Sequence, residues 1–402
     1  MNVPRAKIFA GLLLILFLAQ CIWLVHAELR SEFGCYPESA MVKQGRVVEG
    51  LAQWKRGRIA GTPDITASPI PGHFNATQVG DCYHSPIWYL VASAPVVFWP
   101  GQVDPAYEKT WLWLTRLPYL AFGIFLGASL WYVAHRLYGN PGGFIALILY
   151  CFSPGVIQNS SELCWNSEMG AAWGFFGAIF TAIAVAHTLY APREVVLWNW
   201  RRIVLLGISL GLAIGSQFSL AVLIPLTLAF LLYLAPERRR AAGVIWAAAC
   251  TFAGILIAAG YFFRLPTMFE SLRSAKLADG SIAAFRIGAN YRNAVTVIVK
   301  ACPMLVLLLP ATLLIYVLWK RVRYFGNTAP LLVVALCLIL ALAAPNYPGQ
   351  GFLLMALPFL FCFVAGVLSD LMEAHSGAWA KGPVTALLAA YALWNVVSLA
   401  RV

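Results

Sequence analysis

The side chains best suited to acid–base chemistry lie in one polar stretch near the N-terminus, residues 28–109. This stretch contains the carboxylates of Glu38 and Asp81 and the imidazole of His84. A positioned carboxylate can act as a general base toward a hydroxyl or an amine. The ordinary alternative is solvated loop charge, and for Glu38, which follows Pro37, a favourable interaction with the N-terminus of a helix.

A second group of candidate residues is cationic and lies in a predicted outer segment, 264–292. Short loops on the cytoplasmic side of a membrane protein normally carry the excess of Lys and Arg, so this segment breaks the expected pattern. Guanidinium groups bind phosphate well, although attraction of arginines to lipid headgroups is the ordinary explanation. The four candidates for a phosphate site are Arg264, Arg273, Arg286 and Arg292.

The elements that position these residues are predicted to be membrane-spanning helices. The 402-residue chain is 61% hydrophobic and only 11% charged, whereas soluble domains are about 25% charged. Apolar runs recur along the chain, which predicts an all-α polytopic transmembrane bundle of about 11 spans forming a single integral membrane domain over residues 1–402. The predicted spans are 8–27, 112–138, 142–158, 167–190, 203–216, 218–234, 241–263, 295–319, 328–344, 352–369 and 383–400.

The distribution of charge predicts the orientation of the chain. Arg5 and Lys7 place the N-terminus in the cytoplasm, and we interpret 8–27 as an uncleaved first helix rather than a signal peptide. Residues 28–109 then form a long first extracytoplasmic loop with two juxtamembrane helices, 38–54 and 86–99, in a protein of the inner membrane. The net charge of +12 is explained by this topology, so nucleic acid is not an expected partner.

Three motifs in the first half of the chain carry a resemblance to a known family. They are Tyr36-Pro37-Glu38, His84-Ser85-Pro86-Ile87-Trp88-Tyr89, and Arg116-Leu117-Pro118 followed by Arg136-Leu137-Tyr138-Gly139. Together with Ser153-Pro154, their order and spacing over residues 1–190 resemble the GT-C membrane glycosyltransferases, which include protein O-mannosyltransferases and the aminoarabinose transferase of lipid A. The resemblance implies transfer of a sugar from a polyprenyl-phosphate donor, by a single displacement with inversion.

The resemblance also implies roles for individual residues. Glu38 matches the catalytic acid, which is usually Asp in the family, and Asp81 is the alternative base. His84 matches a residue that contacts the donor phosphate, and the arginines at 264–292 would assist it. Residues expected in the sugar or acceptor pocket are Glu162, Asn166, Trp88 and Tyr89. Where the family often has Arg-Tyr in a late outer loop, this chain has Asn346-Tyr347, so the expected arginine is absent.

The cysteines suggest one covalent link and no metal site. Cys35 and Cys82 lie close to Glu38 and His84 in sequence and face an oxidising compartment in this topology, so a disulfide between them is predicted. Two free thiols, or pairing of either cysteine with Cys164, are the alternatives. No Cys or His spacing typical of a metal site occurs, so the cofactor is unknown and a divalent metal stays possible.

Three other classes of membrane protein are alternatives to the transferase. A transporter or flippase for a lipid-linked sugar normally has ionisable residues within its spans and internal repeats, and neither pattern is evident. A polysaccharide polymerase or ligase would place its large loop late in the chain, and a non-catalytic scaffold would explain the missing Asp and Arg. The expected partners are a polyprenyl-phosphate-linked sugar and membrane lipid.

Overall fold

The computed structural model describes residues 3–30, 84–95, 108–161, 168–190, 200–261, 263, 265–275, 280–345, 351–374 and 378–400. All regular secondary structure in these ranges is helical. The helices are α1 Val3–Arg30, α2 Pro86–Ser93, α3 Glu108–Cys151, α4 Pro154–Ser161, α5 Met169–Thr188, α6 Trp200–Ser216, α7 Leu223–Leu234, α8 Arg239–Gly260, α9 Leu265–Ser274, α10 Gly288–Ala301, α11 Leu305–Leu318, α12 Phe325–Ala343, α13 Gly351–Ala374 and α14 Ala378–Leu399. Short 3₁₀ segments occur at Phe218–Val222, Pro236–Arg238, Ile282–Arg286 and Lys320–Val322.

Seven of the described helices are long and apolar enough to cross a membrane, which makes this an integral membrane protein. An eighth span is obtained if α10 and α11, which are bent by 108° at their junction, count as one. The prediction of about 11 spans is therefore not confirmed.

The difference in span number has local physical reasons. The predicted spans 112–138 and 142–158 both fall largely in α3, whose backbone turns at Gly139, where φ is 71°. The Tyr150 hydroxyl donates a bond of 2.6 Å to the carbonyl of Gly123, so the two parts of α3 lie side by side, although together they count as one of the seven candidate spans. The predicted span 295–319 is the bent pair α10 and α11. Helix α7 has 12 residues, fewer than the roughly 20 that cross a bilayer, and the chain is extended at Gln217 before it.

The described helices form two compact units that alternate along the sequence. The first contains α1, α3 from Gly123 onward, α4 and α10 to α14, and the second contains α2, α3 up to Phe122 and α5 to α9. The division between the units falls inside α3.

Helix α13 is the centre of the first unit. Residues 351–369 are all buried, as expected of a helix that is apolar on every side. It packs against α11 and α12, and the Tyr316 and Phe363 rings meet edge to face with centroids 5.5 Å apart. Near its C-terminal end, the Ser369 hydroxyl donates a hydrogen bond of 2.8 Å to the carbonyl of Tyr138.

The second unit is held together by close contacts between helices. Helix α5 packs on α6, and α6 packs on α8. A methyl group added at Gly174 would lie 2.7 Å from the backbone nitrogen of Ala213 and 2.7 Å from the carbonyl oxygen of Ser209. Helices with small residues at the interface can approach in this way in membranes.

One face of α6 carries glycines at every fourth position, Gly207, Gly211 and Gly215. The first two lie against α8, at Ala249 and Ala253. Gly215 instead lies against α2, where an added methyl group would be 3.1 Å from the Ile87 side chain. The same glycine row therefore admits both α8 and α2, which lies near the end of the first loop.

Candidate functional site

Several residues predicted to be functional lie outside the described residues, so their placement stays a prediction. They are Cys35, Glu38, Asp81, Cys82, Glu162, Asn166 and Arg264. The structure does describe His84, Trp88, the backbone of Tyr89, and Arg273, Arg286 and Arg292. The described part of the site is thus the end of the first loop and the helices on which that end lies.

Helix α2 begins at Pro86, the predicted position, and Ser85 caps it. The Ser85 hydroxyl accepts a bond of 3.3 Å from the Ile87 amide and donates one of 2.6 Å to the carbonyl of Gly215. The Ser85 amide donates a second bond to the same carbonyl, at 2.9 Å. Serine at the N-cap followed by proline is a favoured helix start. Here it also fixes the start of α2 to the last turn of α6.

Apolar packing fixes α2 as well. Ile87 belongs to a buried cluster with Ile214, Ile257 and Tyr261. A methyl group added at Gly260 would lie 2.5 Å from Ile87 Cγ1, so glycine at that position is needed for α2 to reach α8. Polar capping and apolar packing together hold one end of the first loop in place.

His84 lies directly before Ser85, the N-cap residue of α2. Its imidazole stacks on the indole of Trp88, with ring centroids 3.9 Å apart and planes 7° apart. Trp88 is only 7% exposed, and its carbonyl accepts a bond of 3.4 Å from the Tyr119 hydroxyl. The His84 ring is half-buried and held by this stack, which gives a fixed position to a group predicted to contact phosphate.

The second unit buries two charged side chains, one on α3 and one at the start of α5. Arg116 is 2% exposed and Glu168 is 8% exposed. Arg116 lies on α3 one turn before Tyr119, and Glu168 is the N-cap residue of α5. Ionisable side chains within membrane-spanning regions are rare and commonly functional. Sequence reasoning used Arg116 only as part of the Arg-Leu-Pro motif and did not identify it as a site residue.

The start of α5 and the end of α6 adjoin each other. A methyl group added at Gly170 would lie 3.6 Å from the Ser216 hydroxyl and 3.3 Å from the ring of Phe122. Since Ser85 bonds to Gly215, the start of α2 meets the same end of α6. We call the region formed by the α2 start, the α5 start and the α6 end the helix-end junction.

The helix-end junction contains a break in the helical backbone at Gln217, which separates α6 from the 3₁₀ segment Phe218–Val222. The backbone there is extended, with φ −155° and ψ 108°. Sequence analysis ended one predicted span at 216 and began the next at 218, and the break occurs between them. It did not identify Gln217 as a site residue, although a glutamine at the end of an apolar run was a visible signal.

The arginines predicted to bind phosphate are distributed over both units. Arg273, on α9, belongs to the second unit, whereas Arg286 and Arg292 belong to the first. All three are exposed. Their exposure is compatible with contact to an anionic group or to lipid headgroups.

The first unit has an open depression next to the segment that carries Arg286 and Arg292. The depression lies between α10, the end of α12 and the start of α13, where Gly351 has φ 45°. The lining residues include the amides Asn290 and Asn293, which can donate hydrogen bonds to a polar headgroup.

Metal and disulfide chemistry find no support in the described ranges. Within them, no three His, Cys, Asp or Glu side chains lie close enough together to hold a metal ion. The cysteines that the structure describes are free thiols: Cys21, Cys151, Cys250, Cys302, Cys337 and Cys362. The predicted Cys35–Cys82 link lies outside the described residues and stays a prediction.

Comparison with known proteins leaves the family open. No protein-family model matches the chain, and no curated protein matches it. Among solved structures, it is similar to the oligosaccharyltransferase of Archaeoglobus fulgidus, crystallised in complex with Zn and sulfate, with 14% identity and a TM-score of 0.44. The match covers 77% of this chain and 44% of that protein, so the chain spans less than half of that protein's length. At this level of similarity, the match carries no argument about activity.

Proposed function

We propose that this integral membrane protein is a glycosyltransferase that moves a sugar from a polyprenyl-phosphate donor to an acceptor on the extracytoplasmic face. The observation that carries the proposal is the double hydrogen bond from Ser85 to Gly215. It holds the His84-Ser85-Pro86-Ile87-Trp88 motif at the end of an apolar helix, in the unit that also buries Arg116 and Glu168. A lipid-linked sugar needs such a combination of apolar surface and fixed polar groups.

The proposed reaction is a single displacement. Glu38, or Asp81 in its place, takes the proton from the acceptor hydroxyl or amine. The acceptor atom then bonds to the anomeric carbon while the bond from that carbon to the phosphate oxygen breaks. Polyprenyl phosphate leaves with the electron pair, and the anomeric configuration inverts. General-base catalysis of this kind contributes about 10²- to 10⁴-fold to rate.

Phosphate binding is assigned to cationic groups and to His84. In this proposal His84 contacts the donor phosphate from its position just before α2, where its stack on Trp88 restrains the ring. Arg264, Arg273, Arg286 and Arg292 supply positive charge for the phosphate and its membrane surroundings. The sugar or acceptor pocket in this proposal includes Glu162, Asn166 and Tyr89. It also includes Trp88, on which His84 stacks.

The test is a transfer assay with full-length protein in lipid nanodiscs. A polyprenyl phosphate carrying a radiolabelled hexose or pentose is the donor, and lipid A, a Ser/Thr-rich peptide and a glycan are offered as acceptors. We expect label to move to an acceptor, with a loss of about 10²-fold or more in Glu38→Gln or Asp81→Asn. Unchanged transfer in both variants would rule out the proposed base, and a parallel assay with chelator checks for a divalent metal.

The same preparation separates the transferase from a flippase. For this test, proteoliposomes carry the labelled donor in the inner leaflet only. Translocation to the outer leaflet is measured by the reaction of the donor with an added reagent that cannot cross the membrane. Rapid translocation without transfer to any acceptor would contradict the transferase. Transfer without accelerated translocation would support it.

A further inference from the structure

We propose that Gln217 and Ser219 form a hydroxyl-recognition site that reads the sugar of the lipid-linked donor. This inference rests on the proposed function, because it specifies which part of that donor the helix-end junction recognises. It starts from an observation that the proposed reaction does not use, namely polar side chains buried at the backbone break.

The side-chain amide of Gln217 is buried and has no hydrogen-bond partner among the residues that the structure describes. Gln217 is 1% exposed, and neither its Nε2 nor its Oε1 has a partner within the described residues. Its backbone is satisfied, because its amide donates to Ala213 and its carbonyl accepts from Leu220, at 2.9 and 3.0 Å. The unmet hydrogen bonding therefore belongs to the side chain alone.

Ser219 repeats this situation two residues later. It is 7% exposed, and its hydroxyl also has no partner in the described part of the chain. The next buried hydroxyl along the chain, Thr227, donates to the carbonyl of Leu223 at 2.8 Å, which is the usual local solution for a hydroxyl in an apolar helix. Ser219 lacks this solution.

A buried donor or acceptor without a partner is costly, and such groups are few in native proteins. In an apolar unit, a hydrocarbon side chain of similar size would avoid that cost. Unpaired groups at this position are thus explained by a partner that binds there. The residues around the break support this view, since Gly215 holds Ser85 and Ser216 adjoins the start of α5.

The chemistry of the unpaired groups selects the class of ligand. An amide offers both an acceptor oxygen and N–H donors, and a hydroxyl does both as well. Neighbouring sugar hydroxyls donate and accept in the same way, whereas a phosphate needs donors only and a metal ion needs acceptors. A neutral polyhydroxyl group is therefore the best match.

The experiment compares two lipids on full-length protein in nanodiscs. One is polyprenyl phosphate, and the other is the same lipid carrying a hexose. We expect wild type to bind the glycosylated lipid more tightly, and Gln217→Met to lose at least tenfold of that preference while its affinity for the unglycosylated lipid stays the same. Ser219→Ala should lose a smaller part of the preference.

Thermal unfolding of the variants in nanodiscs without donor lipid separates recognition from a structural role. Removing unpaired groups should leave the midpoint of Gln217→Met unchanged or higher. The matched control is Gln20→Met, since Gln20 is a buried glutamine whose hydrogen bonds are made, and its midpoint should fall. If Gln217→Met falls as far as Gln20→Met, the amide has a structural partner such as a buried water, and the inference is overturned.

The outcomes also distinguish this inference from the proposed function. If Gln217→Met loses the preference for the glycosylated lipid and wild type transfers no sugar, recognition is supported and the transferase is rejected. An unchanged preference in this variant, or none in wild type, overturns the recognition site whether or not transfer occurs. Should Gln217→Met fail to fold, Gln217→Asn keeps the amide one methylene shorter and is expected to reduce the same preference.

Discussion

Gln20 and Gln217 are both buried glutamines in an apolar protein, but their surroundings differ. Gln20, on α1, donates from Nε2 to the carbonyls of Leu16 and Cys151 at 3.2 and 3.1 Å. Its Oε1 accepts a bond of 3.1 Å from Asn395 on α14. Gln217 has none of these bonds within the described residues.

This contrast indicates two uses of a polar group in an apolar interior. Gln20 joins three helices of the first unit, so its hydrogen bonds contribute to the fold. Gln217 lies at a helix break in the second unit, and its side chain makes no hydrogen bond to the described part of the chain. Hydrogen bonds already made indicate a structural role, whereas unmet ones at a break indicate a place for a ligand.

The largest effect on stability is expected from Gln20→Met. It removes three hydrogen bonds and leaves the Asn395 amide buried without its partner, at a cost of about 3 kcal/mol. A chemical or thermal unfolding series in nanodiscs measures the change. In the double variant Gln20→Met/Asn395→Leu, part of the loss should be recovered, because both partners are then apolar. A double variant no more stable than Gln20→Met would contradict the structural role of the pair.

The second largest effect is expected from Gly174→Ala in the second unit. The added methyl group would meet the backbone of α6 at 2.7 Å, so α5 and α6 must separate, at a cost of about 2 kcal/mol. Gly243→Ala is the matched control, because nothing lies within 4 Å of a methyl group added there. The control should be neutral or slightly stabilising. Equal midpoints for the two variants would show that α5 and α6 are not in close contact.

Ser85→Ala should have a moderate effect on stability and a larger one on transfer. It removes the cap of α2 and the side-chain bond to Gly215, which costs about 1 kcal/mol and loosens His84. The control is Ser281→Ala, which removes the exposed cap of the Ile282–Arg286 segment, where Ser281 accepts from Ala283 at 3.1 Å. Transfer reduced in Ser85→Ala but not in Ser281→Ala would link the helix-end junction to activity.

The smallest effect concerns pH and Tyr324, which precedes α12. Burial, and then the nearby carboxylates of Asp370 and Glu373, raise the pKa of the Tyr324 phenol above its ordinary value of 10.0. The phenol therefore stays protonated in the folded state at pH values where it ionises in the unfolded chain, so its contribution to stability decreases as the pH rises above 10. In Tyr324→Phe, the decrease in unfolding midpoint between pH 9 and 11 should be shallower. An identical decrease would show that the phenol is not shielded.

The helical class and several boundaries could be predicted from the sequence. Pro86 was the predicted start of α2, and the predicted spans 203–216 and 218–234 separate at the break near Gln217. These features depend on local residue types, which act on the adjacent backbone. The span number was not confirmed, because hydropathy does not reveal that α7 is short or that α10 and α11 meet at a sharp bend.

The polar part of the candidate site was harder to predict. Gln217, Ser219 and Arg116 are buried, and burial by contacts between distant segments is not visible in one sequence. The glycines at positions 207, 211 and 215 were a usable signal that was missed, since their spacing of four marks a face on which another helix can pack closely. The hydrogen bond from Ser85 to Gly215 is one of the contacts made at that face.

The complete burial of α13 has a consequence for how the protein tolerates change. After insertion into the bilayer, a helix is surrounded by lipid, and it later packs against other helices. Its final position therefore depends on the fit between side chains more than on hydrophobicity. Each residue of 351–369 has protein neighbours in place of lipid. Swaps between similar aliphatic residues, harmless on a lipid-facing helix, should therefore disturb assembly in α13, and this segment should accumulate substitutions more slowly than the helices around it.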